Sequence, residues 1–221
     1  MVTKEIPVPA ALKSIDTVAD LIHRLGDIPP ERILWNPIPG TATEEDALRL
    51  IESGDRLVEL IDGILVEKAM GRPESFLAGW LITCLNNFVI PRRLGMVGGP
   101  DTIVRVMPTQ IRLPDVSYFP KKMLLHGEVH AKIGKVPPPL ACEILSDSNR
   151  PKEIARKIKE FFAGGTKLFW VIDPRTETVE VYTKPTKSKV LTTTDTLEGG
   201  TVLPGFKLPI SDLFGFFDVI N

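Results

Sequence analysis

The stretch "LACEILSDSNRPKEIARKIKEFFAGGTKLFWVID", residues 140–173, limits the possible folds more than any other part of the chain. Two short apolar runs flank one amphipathic run. Each apolar run is too continuous for a half-exposed strand, so both read as strands buried on two faces. An intervening helix is the connection that sets two such strands side by side in parallel. The fold class is therefore α/β or α+β, built on a mixed sheet. The same stretch holds a conflict, because Glu143 sits inside the first apolar run. A carboxylate there costs several kcal/mol unless it is paired or ligated.

The rest of the chain supplies further strands and helices. Residues 1–42 form an N-terminal extension with one short helix, in which Val18, Leu21, Ile22 and Leu25 share a face. Ser14 or Asp16 is its expected cap, and Gly26 its stop. Residues 43–221 form the main domain. There, Thr43 and Asp46 open a helix that ends before Gly54, and Asp62-Gly63 turns a hairpin in "RLVELIDGILVEKAM". A core-facing helix is expected over residues 73–90, then a Gly-rich turn in "LGMVGGPD". "TIVRVM" and "QIRLPDVSYF" read as two or three strands, "VEVYT" as a hairpin partner and "KVLTTT" as an edge strand. The apolar tail, broken by Gly and Pro, is expected to pack across the domain.

Composition removes several functions. The net charge of −1 gives no global basic field, so any nucleic-acid contact has to come from a local patch. Cys84 and Cys142 lie in apolar runs and read as buried thiols. With His23, His126 and His130 scattered, no zinc cluster of familiar spacing forms. No apolar run is long enough to span a membrane, and a reducing cytoplasm is the expected compartment.

Chemistry concentrates around Glu143. A second acid and a nearby lysine would make it a hard-cation site of the kind Mg²⁺ takes, with carboxylates, waters and open positions for phosphate. Asp115, in "RLPDVSYFP", is the second acid. Asp101, in the turn cluster "GGPDT", is the weaker candidate, and Asp173 reads as structural. On the helix, Ile154, Ile158, Phe161 and Phe162 define the buried face, and Lys157 projects nearest to it among the charged residues. Each residue also has a plainer reading. Asp115 suits a turn, Glu143 suits a single buried ion pair, and Lys157 suits an i,i+4 pair with Glu153.

The runs "VELIDGILVEK", "PDVSYF", "PPPLACEILSDSNRPKEIARKIKEFFAGGTKLFWVIDP" and "VEVY" together resemble the Uma-two family of restriction endonucleases, within the PD-(D/E)XK nuclease superfamily, over roughly residues 45–215. That resemblance implies a restriction-endonuclease-like mixed β-sheet flanked by α-helices, with Mg²⁺ or Mn²⁺ at the sheet edge. It implies Asp115 and Glu143 as metal-binding acids, the Ile144 carbonyl as a further ligand, and Glu67 as an acid that can join the site. The superfamily lysine two residues after the acid is Leu145 here, and the family pattern places the lysine at Lys157 instead. The implied activity is metal-dependent hydrolysis of DNA to 5′-phosphate ends, with pairing of two copies as in restriction enzymes. The family's His near the start of the helix after the hairpin is missing from "GRPESFLAG". The alternatives are a catalytically inactive nuclease fold that binds nucleic acid or protein, and an assembly module whose acids and lysine form an ion-pair network.

Overall fold

The computed structural model describes residues 15–69, 71–125 and 128–215. Helix α1 (Val18–Leu25) is capped by Thr17, whose side chain forms a capping box with Asp20. The cap thus falls next to the expected Asp16, because the Thr-x-x-Asp spacing satisfies two amides reciprocally. Ser14 lies outside the described residues. Gly26, at φ 96°, ends the helix as expected. Helix α2 (Glu44–Glu52) opens on the Thr43–Asp46 box. Strands β1 (Val58–Ile61) and β2 (Ile64–Glu67) form the expected hairpin, with Asp62 at φ 52° and Gly63 at φ 75°. Two positive φ angles are the type I′ signature.

Helix α3 (Arg72–Val89) follows and leads into β3 (Gly95–Gly98). This strand corrects the reading of "LGMVGGPD" as turn only. It pairs antiparallel with β6 (Val116–Pro120) along the sheet edge, where one side of the ladder needs no partner. Between them, β4 (Val104–Met107) and β5 (Gln110–Arg112) form a hairpin that joins β1 instead. The run "QIRLPDVSYF" is therefore divided between two sheets, and Leu113-Pro114-Asp115 is the crossing point.

Next come β7 (Leu140–Ile144), α4 (Pro151–Gly164), β8 (Leu168–Asp173), β9 (Thr178–Lys184) and β10 (Lys187–Leu191). The six-stranded sheet has the order β10-β9-β8-β7-β6-β3, and the smaller sheet β2-β1-β5-β4. β7 and β8 run parallel, as the crossover requires, and the other pairs are antiparallel. The tail forms a ribbon, β11 (Thr196–Glu198) with β12 (Lys207–Pro209), and then helix α5 (Ile210–Phe214).

One core lies between α3, the tail and one sheet face, with Leu81, Cys142, Ile144, Trp170 and Phe206 buried. On the opposite face Ala141, Phe169 and Val171 meet Ile154, Ile158 and Phe161 of α4. Alternation along β7 puts Glu143 on that second face, under α4. A third core joins Leu21, Leu25 and Ile28 of the extension to Ile61, Ile64 and Val66 of the hairpin.

Candidate functional site

The register of three elements brings the acids together. β6 begins beside β7 with Val116 opposite Cys142, and the Asp115 amide donates to the Cys142 carbonyl at 3.0 Å. Asp115 therefore stands beside Glu143 and Ile144. Its Oδ2 accepts from the Ile144 amide at 2.7 Å. The plain reading of Asp115 as a surface turn residue does not hold, since only 4% of it is exposed.

From α4, Lys157 delivers its ammonium to Glu143 Oε2 at 2.9 Å and to Glu59 Oε1 at 3.2 Å. Glu153 takes a different partner: its carboxylate is gripped by Arg32 through two bonds of 3.0 and 2.9 Å. The lysine that helical projection selected thus makes its direct ion pairs with Glu143 and Glu59, while Glu153 acts on it without a direct bond. Burial works against the Lys157 charge, but Glu143 and Glu59 outweigh it and hold its pKa above the usual lysine value. Burial pushes the Glu143 carboxyl up to about 7, against the pull of Lys157. Burial acts on Glu59 in the same sense, yet Lys157 and Arg112 overcome it and bring that carboxyl down to about 2. Two acids sharing one ammonium have been driven apart, with the one that also holds Arg112 staying charged.

Two participants were missed in the sequence. Glu59, fully buried in β1, carries the same signal as Glu143, an acid inside an apolar run. Lys68, just past β2, ion-pairs with Asp115 Oδ1 at 2.8 Å. It also donates to the carbonyls of Leu113 at 2.6 Å and Pro100 at 3.1 Å. Nothing in "VEKAM" distinguishes this lysine from a solvated one; only the crossing point near Pro114 brings its acceptors together.

Among the described residues, one Glu143 oxygen, Oε1, is buried and has no hydrogen-bond partner. Glu67 is placed at the rim, paired with Arg56 at 2.6 Å. Leu145 donates its amide to Ile172 and contributes no charge. A cleft of about 550 Å³ is lined by Lys68, Glu67, Arg32 and the Ser146–Ser148 loop, with Asp115 and Glu143 outside its lining. A separate cleft of about 320 Å³ beside β3 includes Asp101 and none of the other acids considered as ligands. Asp101 sits in a turn, as expected, and Asp173 ends β8 and is bonded to Arg175. His130 closes a short 3₁₀ turn, while His126 lies outside the described residues. Cys142 is a buried thiol and Cys84 is half-buried. No described helix is long and apolar enough to cross a membrane.

The fold has a counterpart among solved structures. A crystal structure described as a "putative nuclease belonging to DUF820", from Anabaena variabilis ATCC 29413, superposes with a TM-score of 0.66 and 24% identity. The match covers 72% of this chain and 90% of the other, and it shows a shared fold. No curated protein matches. The family model Uma2, described as "Putative restriction endonuclease", matches residues 44–211. That span takes in β1 through β12 with Glu59, Lys68, Asp115, Glu143 and Lys157, and the chain belongs to the Uma2 family.

Proposed function

We propose that the protein is a metal-dependent endonuclease acting on DNA, with Asp115 and Glu143 as the metal-binding acids. The observation that carries this reading is the orphaned Glu143 Oε1, a buried carboxyl oxygen with no hydrogen-bond partner, in a group that feels the Asp115 charge. A hard divalent cation suits that oxygen, and two carboxylates with open positions suit Mg²⁺ or Mn²⁺. Among the described residues no group of three or more His, Cys, Asp or Glu side chains is arranged to hold a metal, so a zinc cage does not fit. The Ile144 carbonyl, at the end of β7, is the candidate third protein ligand. Glu67, paired with Arg56 at the rim, is the candidate acid that would join through a water.

The bound ion would polarise the scissile phosphate and lower the pKa of a coordinated water. The chain's own residues do the rest. Lys157 is held protonated, so it donates hydrogen bonds to the attacking water or the phosphate oxygens and does not take a proton from them. Glu59 also holds the Lys157 head, and Lys157 and Arg112 keep Glu59 charged. The cleft beside Lys68 admits the phosphate, and 5′-phosphate ends are the expected product.

The test is plasmid cleavage with Mg²⁺ or Mn²⁺ by the native chain, Glu143→Gln and Lys157→Met. Cleavage by the native chain alone, lowered at least ~100-fold in both variants, is expected from the loss of a ligand and of a transition-state donor. Intact plasmid in every reaction would overturn the nuclease reading. DNA retained in a binding assay under those conditions would point to the second reading, a non-catalytic binding module, which is favoured by the Lys68 cation already seated on Asp115.

A further inference from the structure

We infer that Lys68 is a tethered cation which occupies the Asp115 side of the site and has to withdraw before a divalent ion binds there. The inference rests on the metal reading above and adds what controls access to the metal position. Lys68 is placed for this by its ladder. β2 ends at Glu67, so the next residue leaves the sheet where the chain crosses between sheets at Leu113–Asp115. Its ammonium has three donors, and three oxygens receive them: Asp115 Oδ1, the Leu113 carbonyl and the Pro100 carbonyl. An oxygen-lined hole around one positive charge has the character of a cation site, here filled by a side chain.

Charge balance makes the two cations alternatives. Asp115, Glu143 and Glu59 already face Lys68, Lys157 and Arg112, so each carboxyl group has a cationic partner. The Lys68 charge reaches past Asp115 to act on Glu143 and Glu59 as well. Adding a dication to that balanced site sets it against an ammonium within a few ångströms in a medium that screens poorly. Removing Lys68 leaves an uncompensated carboxylate beside the orphaned Glu143 oxygen. The exit is present too. The Lys68 side chain is only 3% exposed, yet the residue lines the 550 Å³ cleft, and its flexible stem can swing there. Lys68 is thus the partition between the cleft and the acids.

The test is a calorimetric titration of Mn²⁺ into the full-length chain, compared with Lys68→Met and Lys68→Gln. Both variants are expected to bind Mn²⁺ at least tenfold more tightly than the native chain, and the gain is expected to vanish when Glu143→Gln is added. Equal or weaker binding by folded Lys68 variants would overturn the inference and leave the metal reading standing. If neither the native chain nor the variants bind Mn²⁺, the metal reading falls and this inference with it. A second measurement uses the native chain alone, in case the variants fold poorly. Reductive methylation followed by mass spectrometry should find Lys68 protected without the ion and labelled at saturating Mn²⁺. Protection that persists at saturation would overturn the inference.

Discussion

Lys157 shows how little of a buried residue's energetics resides in one contact. Its ammonium serves Glu143 and Glu59 together, so Lys157→Met strands Glu143, leaves Glu59 to Arg112 alone and is expected to cost about 3–5 kcal/mol in urea unfolding. Glu59 gives a pH signature. Its folded pKa of about 2 lies below the ordinary 4.5, so it stabilises the fold above pH 4.5. That contribution is lost as pH falls toward 2. It amounts to up to about 3 kcal/mol, at roughly 1.4 kcal/mol per pH unit. The unfolding free energy of the native chain relative to Glu59→Gln should therefore shrink between pH 5 and pH 3, and a constant difference would contradict the pairing. At this scale the sequence was legible where burial conflicts with charge. Glu143 stood out as an acid in an apolar run, and helical projection selected Lys157. Glu59 has the same signature, but the alternating hairpin reading hid it, because both faces of β1 turn out to be covered. Lys68 carries no local signal, since its acceptors come from residues 100, 113 and 115.

At the scale of elements, α4 is held at its start by the extension. Arg32 grips Glu153 by two bonds and also donates to the Glu67 carbonyl at 2.8 Å, tying α4 to the end of β2. Arg32→Ala leaves Glu153 buried without its directly bonded cation and is expected to cost about 3–5 kcal/mol by denaturant unfolding. Two glycines separate backbone strain from crowding. Gly54, at φ 77°, has open space where a Cβ would go, so Gly54→Ala should cost only about 1–2 kcal/mol. At Gly26, φ 96°, a Cβ would lie 2.6 Å from the Glu153 amide nitrogen. Gly26→Ala should therefore lower the melting temperature clearly more than Gly54→Ala. The elements themselves were readable wherever periodicity or turn chemistry was strong, as in α2, the β1–β2 hairpin and the β7–α4–β8 crossover. β3 escaped because two of its four residues are glycines, and its pairing with β6 is a long-range choice.

For the molecule as a whole, the family match begins at residue 44, near the boundary expected at residue 42, yet packing crosses that line. The extension covers Ile61, Ile64 and Val66, so a chain starting at residue 43 should melt at lower temperature and bind more of a hydrophobic dye than the full chain. Retention of full stability would show the extension to be dispensable. The two sheets explain why the site is deep: β6 and β7 present Asp115 and Glu143, β1 presents Glu59, and α4 closes over them with Lys157. The sequence showed a mixed sheet but not its division in two, because a single turn at Pro114 decides which sheet each strand joins. The most direct measurement is anomalous diffraction from crystals of the native chain soaked in manganese. A peak bonded to both Asp115 and Glu143, at roughly the 2.0–2.2 Å of hard-cation bonds, is the expected result. Full occupancy elsewhere with no peak between those two carboxylates would contradict it.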